Sequence, residues 1–200
     1  IIVLPLLIAA MVINRKKLDN SFIYTLIWLG VLWYFIYNYI FYLFGASYNS
    51  LFLLYVLIII LSVVSFIHLI LALYPNLDNI FNKKYMNYSF KGLGIFMRVF
   101  AVVLGSMWVI MIVGSLIKGE VPEAILQTGH PTGVVFATDL IFLVTPLFVL
   151  GSYVKYKNKL VIVLSFAILM KCALYPMVFI VAGINTYLSV GSYAPLTPIY

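Results

Sequence analysis

The chain has 200 residues, of which 66% are hydrophobic and only 8% are charged. This composition excludes an ordinary soluble globular domain, in which about 25% of residues are charged, and it predicts a protein of the lipid bilayer. Twelve Lys and Arg residues against five Asp and Glu give a net charge of +7. In a membrane protein such an excess orients helices and contacts anionic lipid, so we expect no nucleic-acid partner. The single cysteine, Cys172, excludes an internal disulfide and a metal site of several thiolates.

Six apolar runs follow one another along the chain. The first, at residues 1–13, is shorter than the roughly 20 residues that a span needs, so we expect residues before residue 1 to complete it. The other five cover residues 21–44, 51–74, 93–117, 135–154 and 160–182. All six are predicted to be helices, because lipid leaves an open backbone without partners and the runs lack the alternation of barrel strands. The predicted fold class is an all-α membrane protein, a single transmembrane bundle at residues 1–200 with six visible helices and a truncated N-terminus.

Basic residues concentrate in the loops on one side of this predicted bundle. These loops cover residues 14–19, 75–91 and 155–159. The loops on the other side read GASYNS, without charge, and KGEVPEAILQTGHPTG, with Glu120, Glu123 and one lysine. The positive-inside rule therefore places the lysine-rich loops in the cytoplasm and the visible C-terminus outside. The uncharged tail at residues 183–200 is expected to lie along the outer interface or to fold back over the helix ends.

Two stretches carry a resemblance to other proteins. YNYIFYLFGASYNSLFLLYV and the later TGHPTGVVFATDL, with a short lysine-rich turn after them, resemble an uncharacterised family of bacterial multi-pass membrane proteins. Its members have a tyrosine-rich helix ending in Phe-Gly, then Asn and LFLLY, and later Gly-x-Pro-Thr followed by Asp. The resemblance covers most of the chain and implies the bacterial inner membrane, a further helix before residue 1 and thus seven spans in the full protein. It implies no function, and His130 occupies the variable position of the later motif.

Four ionisable side chains lie within the predicted spans, where a charge is costly and usually faces a partner or water. They are His68, Arg98, Asp139 and Lys171. With a rise of ~1.5 Å per residue, Asp139 lies ~24 Å and Lys171 ~18 Å from the turn KYKNK that joins their antiparallel helices. A lysine stem spans roughly 6 Å. We therefore expect an ion pair between Asp139 and Lys171 in the outer half of the membrane.

Two interpretations of this pair are open. In the first, the pair is structural and fixes the register of two helices. In the second, which we favour, the pair forms a binding site or a proton-linked switch. The turn GHPTG before Asp139 supports a site because helix N-terminal amides attract anions, although Thr132 in that turn is equally explained as a helix cap. Arg98 and His68 are expected to have structural roles, with Arg98 snorkelling to a lipid phosphate.

The histidines give no support to a cofactor site. His68 and His130 are predicted on opposite sides of the membrane, which argues against a bis-histidine haem and a histidine-rich metal centre. No Ser/His/Asp set converges at one depth. We therefore expect no metal or cofactor, and an enzyme is the less favoured class.

The second predicted helix carries a polar stripe. At 100° per residue, Tyr34 and Asn38 share a face and Tyr37 lies nearby, whereas Tyr39 points elsewhere. These groups are too deep for the aromatic belt at the membrane surface, so they are expected to face protein or a cavity. Hydrogen bonds between helices and a ligand pocket are both compatible with the stripe.

Three functions from different classes follow from these residues. The favoured one is small-molecule binding or transport through an outward-facing polar cavity that accepts a small amphiphilic ligand. Its predicted lining residues are Tyr34, Tyr37, Asn38, Asn49, Thr132, Asp139 and Lys171. The second is an accessory or structural subunit, bound to a membrane-protein partner or forming a homo-oligomer. The third is a membrane enzyme or chromoprotein in which Lys171 forms a Schiff base with Asp139 as counter-ion.

Overall fold

The computed structural model describes residues 22–81, 87–128 and 132–190. Within these residues all regular structure is helical. The helices are α1 (Phe22–Gly45), α2 (Phe52–Leu73), α3 (Leu77–Ile80), α4 (Lys91–Lys118), α5 (Glu123–Thr128), α6 (Val134–Asp139), α7 (Thr145–Tyr153) and α8 (Lys159–Val190). The predicted span at residues 1–13 and His130 lie outside the described residues.

Among the described residues, five stretches are long and apolar enough to cross a membrane. They are Phe22–Gly45, Phe52–Ile80, Lys91–Lys118, Val134–Tyr156 and Lys159–Pro176. The fourth, here called the composite helix, joins α6 and α7 through the π-helical turn Leu140–Val144 and ends in a 3₁₀ turn, Val154–Tyr156. Eight of the ten ends of these stretches lie within two residues of the predicted runs, whereas the second stretch continues to Ile80 and the fifth ends at Pro176. A further difference lies at the C-terminal end, where residues 183–190 continue α8 as helix instead of beginning a tail.

Local signals explain where the helices end and begin. Gly119 adopts a left-handed conformation (φ 69°) and terminates α4, as glycine after a helix commonly does. Asn158 caps α8, because its Oδ1 accepts the backbone N–H groups of Leu160 at 3.0 Å and Val161 at 3.2 Å. The preceding residue, Lys157, also has a positive φ of 59°, which makes a tight reversal between the composite helix and α8. Residues of the polar loops therefore fix where the helices end and begin, whereas the apolar runs predict these positions only roughly.

The packing order places α1 in the middle of the bundle. It contacts α2, α8 and α6, while α4 packs mainly against α7. The two most apolar spans, which contain α2 and α4, are also the least buried in the protein. A soluble protein buries its most apolar helices, so this inverted relation is typical of helices that face lipid. Because successive spans are antiparallel, Lys91, Lys155 and Lys159 lie at one end of the bundle, here called the lysine-rich end.

Two glycines bring α4 into close contact with α7. Gly94 and Gly151 face each other there, and a Cβ atom added at residue 94 would lie 2.5 Å from the carbonyl oxygen of Gly151. Small residues of this kind let two membrane helices approach until their backbones touch. Met97 and Leu147 continue the contact as fully buried side chains.

We expect Gly94→Ala to lower the free energy of unfolding by about 1–3 kcal/mol, because the added methyl group overpacks a backbone contact. Gly114→Ala on the same helix is the matched control, since a Cβ at that position meets nothing within 4 Å. Thermal unfolding of both variants in the same detergent, followed by circular dichroism, measures the difference. Equal unfolding temperatures for the two variants would show that the α4–α7 contact is looser than described.

Candidate functional site

Polar side chains from four of the long helices meet around Tyr37. They are Tyr37 on α1, Trp108 on α4, Asp139 at the end of α6, and Lys171 and Tyr175 on α8, and together they are called the Tyr37 cluster. Tyr37, Asp139 and Lys171 are each at most 5% exposed. The cluster is therefore enclosed by protein in this conformation, and no open outward cavity is formed at these three residues.

Asp139 is held by two hydrogen bonds from other helices. The hydroxyl of Tyr37 donates to its Oδ1 at 2.5 Å, and the indole Nε1 of Trp108 donates to its Oδ2 at 3.0 Å. The Trp108 ring also packs on Phe136, one turn before Asp139, with ring centroids 4.7 Å apart. A carboxylate that accepts two such bonds is fixed in orientation, and it links α1 and α4 to the composite helix.

Lys171 is buried in a different way. Its side chain is 0% exposed, and its Nζ lies 3.6 Å from the centroid of the Tyr37 ring and 4.7 Å from that of Tyr175. The two rings are nearly perpendicular, with centroids 5.9 Å apart. Ring faces stabilise an ammonium electrostatically but accept no strong hydrogen bond from it. Among the described residues no acceptor pairs with Nζ, so its capacity to donate three hydrogen bonds is unused.

Tyr37 connects the two charged residues. Its hydroxyl bonds Asp139 while its ring face covers the ammonium of Lys171. The expected direct ion pair between Asp139 and Lys171 is absent from the described ion pairs, which corrects the sequence-based expectation. The two residues do lie in one cluster, where Tyr37 contacts both of them because α1 packs against α6 and α8. The carboxylate is thus satisfied by neutral donors, and the ammonium is left without an acceptor.

The composite helix is irregular directly after Asp139. In its π-helical turn the backbone N–H of Thr145 bonds the carbonyl of Leu140 five residues earlier, and the next residue, Pro146, has no N–H to donate. One backbone donor to the carbonyls of this turn is therefore missing. The Nε1 of Trp33 on α1 donates to the carbonyl oxygen of Phe142 at 3.2 Å. Such turns are frequent at functional sites and allow a helix to bend.

The remaining predicted lining residues lie outside the Tyr37 cluster. Tyr34 and Asn38 are half-buried, and no described hydrogen bond joins either of them to the cluster. Asn49 is exposed, where its Oδ1 accepts the N–H of Leu51 at 2.9 Å and stabilises the turn before α2. Thr132 is exposed and does not cap α6, which begins after Gly133 without a side-chain cap. The structure therefore brings together Tyr37, Asp139 and Lys171 but not the other four.

The two other charged candidates are far less buried. His68 is exposed on α2, a helix whose outer face is almost entirely apolar. Arg98 is half-buried, and its Nε donates to the carbonyl of Gly94 at 3.3 Å, one turn closer to the lysine-rich end. This orientation agrees with the expected snorkelling of Arg98.

Two residues of the cluster were missed by sequence reasoning. Tyr175 follows Lys171 by four residues, so helical spacing alone puts both on one face of α8, and this signal was available. Trp108 lies in the body of α4 and not at its ends, where aromatic belts occur, and an indole N–H at that depth needs a partner. The identity of that partner, Asp139, depends on how α4 and the composite helix pack.

The described residues offer no group of three or more His, Cys, Asp or Glu side chains that could hold a metal ion. Comparison of the chain with models of known protein families, with curated proteins and with solved structures finds no match.

Proposed function

We propose that the protein is a multi-pass protein of the bacterial inner membrane, with six spans in this chain. The lysine-rich end faces the cytoplasm, and the C-terminus lies outside. Support comes from the five apolar helices, from the lipid-facing character of α2 and α4 and from the distribution of basic loops. Membership of the bacterial family that the chain resembles is part of this proposal.

Within that membrane the protein binds a small amphiphilic molecule and carries it across. The observation that carries this proposal is the buried Nζ of Lys171, which has no acceptor among the described residues. A buried donor without a partner is costly, and functional sites are where such costs persist. An anionic or hydrogen-bond-accepting group of the ligand would supply the missing partner. The rings of Tyr37 and Tyr175 suit the apolar part of the same molecule.

The enclosed position of the cluster favours transport over simple binding. A ligand reaches Lys171 only if side chains or helices move, because the Lys171 side chain is fully buried. The π-helical turn and Pro146 beside Asp139 give the composite helix a place to bend. Irregular helices at the substrate site are common in secondary transporters, where opening alternates between the two sides.

Ligand screening of the protein purified in mild detergent tests the proposal. Native mass spectrometry first shows whether a non-lipid molecule co-purifies, and thermal unfolding is then measured with short-chain alkyl carboxylates, alkyl phosphates and alkyl sulfonates. We expect a subset of these anions to raise the unfolding temperature by several degrees and to be taken up by proteoliposomes. Stabilisation by none of them, or a stoichiometric protein partner in place of a ligand, would contradict the proposal and favour an accessory subunit.

A further inference from the structure

A small pocket opens at the lysine-rich end between α4 and α7. It has a volume of about 150 Å³ and is lined by Lys91, Gly94, Ile95, Arg98, Gly151 and Lys155. Three of these residues, Lys91, Arg98 and Lys155, are cationic. We propose that this pocket binds the phosphate group of an anionic phospholipid.

The cations of the pocket lack an acidic partner among the described residues. Asp78 is paired with Lys159, and Asp139 belongs to the Tyr37 cluster. Glu120 and Glu123 follow α4 at the opposite end of the bundle. The fifth acidic residue, Asp19, lies outside the described part of the chain. Three positive charges that share one pocket repel one another, so an anion there relieves that repulsion as well as forming hydrogen bonds.

Arg98 is oriented to bind this anion. Its Nε donates to the carbonyl of Gly94, and this contact turns the guanidinium toward the lysine-rich end. The terminal nitrogens form no other described hydrogen bond, and a planar guanidinium binds phosphate oxygens in a bidentate manner. Lys91 adds its charge at the first turn of α4, where the helix dipole is also positive, and Lys155 approaches from the 3₁₀ turn after α7.

An adjacent apolar groove identifies the anion as a lipid. A second pocket of about 390 Å³ shares Ile95 and Arg98 with the first and continues deeper along α4. Its other lining residues are Val99, Val102, Val103 and Phe148. A cationic site at the end of the span, continuous with an apolar groove toward its middle, matches a phosphate head with an acyl chain attached. A free phosphate ion would use only the first pocket.

Titration of the purified protein with phosphatidylglycerol tests this site, with native mass spectrometry used to count bound lipid. We expect Arg98→Gln and Lys155→Gln each to weaken binding about tenfold, as the loss of one charge-assisted contact does. Lys159→Gln is the control, because it also removes one positive charge at the lysine-rich end but from a residue that is paired with Asp78. We expect it to change the affinity for phosphatidylglycerol by less than twofold. Phosphatidylcholine, whose choline group cancels the phosphate charge, is expected to bind more weakly than phosphatidylglycerol.

Three results would overturn the proposal: equal weakening by Lys159→Gln, equal binding of phosphatidylcholine, or displacement of phosphatidylglycerol by an equal concentration of inorganic phosphate. The last result would assign the pocket to free phosphate. Unfolding temperatures without added lipid show whether each variant is folded. Because Lys155 is exposed, its variant keeps the test valid if Arg98→Gln destabilises the α4–α7 contact.

Discussion

Asp139→Ala is expected to lower the free energy of unfolding by about 2–6 kcal/mol, because each of the two donors that it leaves without an acceptor costs about 1–3 kcal/mol. The substitution leaves the hydroxyl of Tyr37 and the indole N–H of Trp108 without their acceptor. It also removes the negative charge nearest to the buried ammonium of Lys171. Two donors in a low-dielectric interior then lack an acceptor, and the ammonium, which has no acceptor even in the wild type, loses the attraction of the carboxylate.

Asp78→Ala is the matched control for this loss, because Asp78 is 88% exposed and pairs with Lys159 at the surface. Exposed ion pairs contribute only about 0–1 kcal/mol, so a much smaller change is expected. Combining Asp139→Ala with Lys171→Met should restore part of the stability, since the uncompensated cation is then gone. Chemical unfolding of the wild type, the three single variants and the double variant in one detergent measures these differences. Strict additivity in the double variant would show that Asp139 and Lys171 do not interact through Tyr37.

Lys171→Met is expected to abolish the stabilisation of the protein by anionic ligands. The proposed contact is a charge-assisted hydrogen bond from Nζ in a site closed to water, so its removal should weaken binding by at least a hundredfold, about 2.7 kcal/mol. Methionine keeps nearly the same length and packs favourably against the rings of Tyr37 and Tyr175. We therefore expect the variant to fold and to lose less stability than Asp139→Ala.

The measurement is the ligand-induced shift in unfolding temperature, together with uptake into proteoliposomes. Lys118→Met, which removes an exposed lysine at the opposite end of α4, is the control and should retain both. If Lys171→Met binds and transports as the wild type does, the prediction is wrong and Lys171 has a structural role. A loss of uptake with unchanged binding would instead assign Lys171 to the conformational change.

The five long helices could be predicted from the sequence because a continuous apolar run of about 20 residues is a local property. Their observed bounds differ from the prediction mainly where loops decide them, as at Asn158, or where α8 continues to Val190. The enclosure of Tyr37 was expected on the same local grounds, since a deep hydroxyl needs a partner. The irregularity beside Asp139 was not anticipated, although Pro146 is visible in the sequence.

The sequence by itself therefore determined the helical architecture and the depth at which Asp139 and Lys171 are buried. Only the tertiary structure decided their partners, because helix depth follows from residue count whereas contacts depend on the rotation and tilt of each helix. Those angles bring Trp108 to Asp139 and place Tyr37 in contact with both the carboxylate and the ammonium. They also leave Asn49 and Thr132 at the surface. Counting residues along a helix cannot distinguish a direct ion pair from one bridged by Tyr37, since the two arrangements differ by a shift of only a few ångströms between helices.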